Sequence, residues 1–137
     1  MVKRLISSMK THDHWFAEWW SSILLMIVGM YGLCVPNSLI IHQSFINGFL
    51  KVLPFDVWQW LFVGFGLFQF TALRCESMIG RGVAAFFASS LLIWGTLNVA
   101  FYGRCHFSLV AWGIFAVINL YALARIMTRV EKRYELL

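Results

Sequence analysis

Two carboxamides, Gln69 and Asn119, stand inside otherwise apolar stretches, and Ser89, Ser90 and Asn98 stand in a third. An amide taken out of water needs a hydrogen-bond partner, and in hydrocarbon that partner must come from a neighbouring helix. Counted from Val57 and Phe107, Gln69 and Asn119 are each twelve residues along, which predicts one shared layer, with Ser89 and Ser90 close to it and Asn98 nearer the far end. Each interhelical bond of this kind contributes about 0.6–2 kcal/mol. The layer reads as glue between helices or, in an oligomer, as the lining of a water path.

Two other groups carry chemistry-bearing side chains. Cys34, His42, Cys105 and His106 gather at one end of the predicted topology, where three readings stay open: no bond, a Cys34–Cys105 disulfide in an oxidising compartment, or a soft-metal site of thiolate and imidazole. At the opposite end, His12, Asp13, His14 and Glu18 resemble ligands in a line, and His14 and Glu18 would share a helix face. A wet juxtamembrane face explains that line without a metal, so no metal and no cofactor is expected.

The elements that position these residues follow from one stretch. From Gly82 to Gly103, bounded by Arg81 and Arg104, no side chain carries a formal charge. Roughly 20 apolar residues at about 1.5 Å of rise cross a hydrocarbon core of about 30 Å. The whole chain of 137 residues is 61% hydrophobic and only 12% charged, too apolar to hide in one small soluble core. Its net charge of +5 brings no basic patch apart from the apolar segments, so lipid is expected as a partner and nucleic acid is not. The basic start at Lys3 and Arg4 invites a cleaved-signal reading, but Asp13 and Glu18 interrupt it, no small-x-small site follows, and Leu33 before Cys34 spoils a lipobox. The first apolar segment is expected to stay.

We therefore expect an all-α integral membrane protein, one domain over residues 1–137, built as an antiparallel four-helix transmembrane bundle. The spans are placed at about 19–35, 57–73, 82–102 and 107–127. Pro36 ends the first, Gly29 and Gly32 allow close approach of another helix, and small residues four apart, Ala84 with Ala88 and Ala85 with Ser89, do the same in the third. Trp15, Trp19, Trp20, Trp58 and Trp60 are expected as interfacial anchors, since an indole keeps its N–H wet while its ring is buried. Over 38–53 a helical wheel puts Gln43, Ser44, Asn47 and Lys51 on one arc, with Phe45, Ile46, Phe49, Leu50 and Leu53 opposite. That pattern predicts an amphipathic helix lying in the outer interface.

Orientation follows from the cations. Lys3, Arg4, Lys10, Arg74, Arg81, Arg125, Arg129, Lys132 and Arg133 fall on one side, against Lys51 and Arg104 on the other. The positive-inside rule then puts both termini in the cytoplasm of a bacterial inner membrane. No formally charged group is expected at depth, and Arg125, near the end of the fourth span, is expected to snorkel outward. This argues against proton relays, ion-coupled carriers and intramembrane hydrolases, and no histidine lies mid-span to hold a haem.

The layout from Trp58 onward resembles the small uncharacterised four-span membrane proteins common in tailed-phage genomes: a tryptophan-rich span, Arg74 and Arg81 in a tight turn, Trp94, then a span ending in Tyr121 and Arg125. The resemblance implies a viral protein acting in the host inner membrane, as a holin-like lysis factor or as an exclusion factor against other phages. Met9 after Met1, with Lys3 and Arg4 between, resembles the paired starts of some holins. The expected function is non-enzymatic self-association in the bilayer as a homo-oligomer. The alternative is a binding subunit that docks on a host or partner membrane protein.

Overall fold

The computed structural model describes residues 15–35, 43–103 and 107–135. Among these residues the chain is all-α. Four long helices, α1 (Phe16–Cys34), α3 (Phe55–Arg74), α4 (Met78–Tyr102) and α5 (Phe107–Glu135), are joined by a short helix α2 (Gln43–Asn47) and a 3-10 turn (Phe49–Lys51). By length and composition, α1, α4 and residues 107–129 of α5 are each apolar enough to cross a membrane. That composition marks a membrane protein. Helix α3 is of similar length but carries Asp56, Gln59 and Gln69.

Local signals set most of the helix ends. Val35, before Pro36, leaves the helix in an extended conformation, as the residue preceding a proline must. Pro54 precedes α3, where its missing N–H costs nothing. Ser77 caps α4, its hydroxyl accepting from the Gly80 N–H at 3.2 Å. The turn from α3 into α4 is only Cys75–Ser77, and Glu76 takes a left-handed φ of 53° to make it.

Helix α1 packs mainly on α3 and α4 mainly on α5, while α3 against α4 joins the two pairs. Successive long helices alternate in direction, because Glu18 meets Arg81 and Ser21 meets Asn119 at one shared end. Backbones come close within the α1–α3 pair. A Cβ on Gly29 would lie 2.6 Å from the Gln59 carbonyl oxygen, and one on Gly66 would lie 2.8 Å from that of Ser22. In the other pair the Trp112 ring lies across Gly95.

Three expectations change here. The helix expected over 38–53 is not continuous: α2 ends at Asn47, Gly48 breaks the run, and residues 36–42 lie outside the described residues. Instead of lying flat in an interface, the segment folds over the end of the bundle. Phe49 is buried at 3% exposure, stacks on Phe45 at 4.7 Å and meets Trp58 edge-on at 5.0 Å. Phe45, Leu50 and Leu53 are half-buried, and Ile46 faces out. Trp58 is then a core residue, not an anchor, its indole N–H donating to the Phe49 carbonyl at 2.8 Å. Finally, α1 starts at Phe16 and α4 at Met78, so both helices take in charged residues that were expected outside them.

The α1–α3 contact yields a graded test. Gly66→Leu drives a side chain into the Ser22 carbonyl and should destabilise the protein by about 1–3 kcal/mol, the range for overpacking. Gly64→Leu, two residues away with nothing within 4 Å of its Cβ position, should be close to neutral. Thermal unfolding in a mild detergent separates the two.

Candidate functional site

Buried faces in this protein combine small and polar residues with a few large apolar ones, Leu25, Phe62 and Leu92 among them, and exposed faces are apolar. Helix α1 buries Glu18, Ser21, Ser22, Leu25, Gly29 and Gly32, a stripe at three- and four-residue spacing. Helix α3 buries Gln59 and Gln69 along with Phe55, Trp58, Phe62, Gly66 and Ala72, and α4 buries Ala84, Ala85, Ala88, Ser89, Leu92, Gly95 and Asn98. Outward point large apolar side chains, among them Ile27, Trp60, Phe68, Phe86, Phe101 and Val117. This inverts the pattern of a water-soluble bundle, where polar residues take the outer face.

Within the core, Asn119 is the hub of a polar layer. Its side-chain oxygen accepts from Ser21 Oγ at 2.8 Å and from Gln69 Nε2 at 3.2 Å, and its amide nitrogen donates to the Phe115 carbonyl at 2.9 Å. Helices α1, α3 and α5 therefore meet at one atom. Gln69 and Asn119 lie in one layer, as the residue count predicts, at 2% and 0% exposure. Ser21 went unnoticed in the sequence reading, which assigned its neighbours Trp19 and Trp20 to an interfacial belt. Its place in the small and polar stripe of α1 was the available signal.

Other members of the expected layer do not join it through hydrogen bonds. Ser89 and Ser90 both donate to the Phe86 carbonyl of their own helix, and Ser90 faces outward. Asn98 is buried but donates to the Trp94 carbonyl, again within α4. Trp15, Trp20 and Trp60 are exposed and Trp19 is half-buried. Cys34 is exposed, whereas Cys105 and all four histidines lie outside the described residues, so the disulfide and metal readings do too.

One turn from Ser21, a charged residue expected just outside the first span is buried in the first turn of α1. Glu18 is 3% exposed and forms a two-pronged ion pair with Arg81: Arg81 Nε donates to one carboxylate oxygen at 2.8 Å, Nη2 to the other at 3.0 Å. Such a fork is the strong form of an ion pair, and Glu18 also sits in the first turn of α1, where the helix dipole favours an anion. The pair links α1 to α4. Arg125, expected to snorkel outward, instead turns two of its guanidinium nitrogens into the bundle. Its Nε and Nη2 have no hydrogen-bond partner among the described residues and lie beside Glu18 and Arg81, in a small cavity that Arg129 also lines.

No family model, curated protein or solved structure matches this chain. The reading of the site therefore rests on its geometry. In that geometry both Glu18 oxygens are engaged by Arg81, and the side-chain oxygen and nitrogen of Asn119 are both bonded.

The layer predicts an order of losses. Asn119→Leu removes two interhelical bonds and should cost about 1–3 kcal/mol. Gln69→Leu should cost less, since it removes one long bond together with a buried oxygen, Oε1, that has no partner among the described residues. Unfolding midpoints of the two variants in one detergent check the order.

Proposed function

We propose that the chain is a four-span protein of a bacterial inner membrane, both termini cytoplasmic, that works without catalysis by associating with other helices in the bilayer. The observation that carries this reading is the apolar exterior, large apolar side chains facing out while neutral amides and an ion pair are buried beside the apolar core. Lipid tails accept such an exterior, and an interior of small and polar residues is what holds helices together where no hydrophobic drive acts between them.

Helix α3 fits as the fourth span. Its two glutamines, which lower its mean hydropathy, are both turned inward at 3% and 2% exposure. Its outer face is Val57, Trp60, Leu67, Phe68 and Phe70, which lipid can meet. Orientation follows from the excess of Lys and Arg at the end shared by Arg74, Arg81, Arg125 and Arg129.

On this reading the working surface is the exterior. A pore through the Gln69–Asn119 layer would require the bundle to open, because both amides are buried and bonded to each other within one chain. We favour a holin-like homo-oligomer of closed bundles packed side by side, the role implied by the resemblance to small phage membrane proteins. The alternative, docking on a host or partner membrane protein, draws on the outer end, where Ile46, Lys51 and Val52 are exposed over the folded cap.

Light scattering in mild detergent, with the detergent mass subtracted, distinguishes these readings. Self-association predicts a single species at several times 15.8 kDa and dye efflux from liposomes that is unchanged in Gln69→Leu. A monomer that releases no dye would overturn it and favour docking on a partner.

A further inference from the structure

The long helices meet around the bundle through unequal contacts. Helix α1 packs on α3, α3 on α4 and α4 on α5, but α5 and α1 touch less. Ser21 and Asn119 pin that last seam at one level. One turn further out it holds a pocket of about 90 Å³. The floor is Leu25 of α1 and Leu92 of α4, each 1% exposed, and the rim is Leu24 and Val28 of α1 with Trp112 and Phe115 of α5, all half-buried. Ile27 and Ile114, on the same turns of α1 and α5, point outward, so the pocket is continuous with the apolar exterior.

Nothing among the described residues fills this space. Trp112 does not swing into it, because its ring lies across Gly95 and packs edge-on with Phe62 at 6.1 Å. A buried water needs several polar partners, and the side chains lining the pocket are apolar or aromatic. A wall that faces a void forfeits its dispersion contacts, so an apolar occupant is favoured. An apolar cavity of about 150 Å³ accepts benzene, so this smaller one has room for a few methylene groups and none for a further helix.

Depth selects the occupant. At about 1.5 Å of rise per residue, the lining residues lie roughly 6–15 Å in from the helix ends at Cys34, Tyr102 and Phe107. In a hydrocarbon core of about 30 Å, that is the acyl region of one leaflet.

From this arrangement we infer that the seam between α1 and α5 takes up one acyl chain of an outer-leaflet phospholipid, which fills the pocket over Leu25 and Leu92. No charged side chain lines the pocket, so the site reads the chain and not the headgroup. The inference rests on the membrane reading.

The experiment is photolabelling of the full chain in liposomes with a phosphatidylcholine that carries a diazirine part-way along one acyl chain, with adducts located residue by residue by mass spectrometry. Lipid around the protein should label exposed residues such as Ile27, Phe86 and Ile114, which tests the membrane reading. A chain in the pocket should also label Leu25 or Leu92, which at 1% exposure no chain outside the bundle reaches. Ala111→Leu, on the pocket wall, should abolish most of the labelling at Leu25 and Leu92, leave that at Phe86 unchanged, and give an unfolding midpoint no lower than the parent's, because the larger side chain fills the space. Labelling confined to exposed residues at every ratio of lipid to protein would overturn the inference, leave the membrane reading standing and give the pocket to a side chain of a neighbouring copy. Absence of labelling at exposed residues would overturn both. Labelling of Leu25 and Leu92 that persists in full in Ala111→Leu would also overturn the inference. The comparison of floor with exterior uses the unmutated chain, so it decides the matter even if the variant fails to assemble.

Discussion

The two-pronged contact between Glu18 and Arg81 is the constraint on which the rest of this structure depends. It joins α1 to α4, two helices that otherwise touch little, and so ties the α1–α3 pair to the α4–α5 pair at the inner end. A carboxylate at 3% exposure is not tolerable alone, so the pair fixes the register of both helices. One turn away, Asn119 repeats the logic with neutral groups, drawing α1 and α3 onto α5 through Ser21 and Gln69. In water such bonds would be minor beside hydrophobic burial. Between helices in lipid that drive is absent, and packing and hydrogen bonds must hold the assembly.

Close packing supplies the remainder. Glycines at 29 and 66 bring α1 and α3 near enough for backbone contact, and Gly95 admits the Trp112 ring between α4 and α5. At the outer end the chain closes its own core with Phe49, clamped between Phe45 and Trp58 and anchored by the Trp58 indole N–H. The bundle is thus sealed by charge at one end and by aromatic rings at the other. What remains for function is the apolar exterior.

Much of this was legible in the sequence, and the departures lie at the helix ends and in the segment between α1 and α3. Apolar length placed the long helices, and counting residues from their ends put Gln69 and Asn119 at one depth. The cluster Trp15 to Trp20 was read as a belt at the edge of a span. In fact the helix begins at Phe16, and Glu18 turns inward on the same stripe as Ser21 and Leu25. Arg125, read as a snorkelling residue, likewise turns Nε and Nη2 inward. The segment 38–53 failed differently. A hydrophobic wheel reports that one face wants to be buried but not whether lipid or the protein's own core buries it, and here Phe49 chose the core. Nothing local in the sequence distinguishes those outcomes, since the deciding partners, Trp58, Phe62 and Trp94, lie elsewhere in the chain.

The central claim, that a buried ion pair locks the two helix pairs together, is tested most directly by a double-mutant cycle at Glu18 and Arg81 read by unfolding in one detergent. The account predicts that Glu18→Gln and Arg81→Gln each cost about 3–5 kcal/mol and that the double variant costs well below their sum, because neither charge is then left unpaired. Single variants within about 0.5 kcal/mol of the parent, the range of ordinary surface substitutions, would contradict it. So would strictly additive losses.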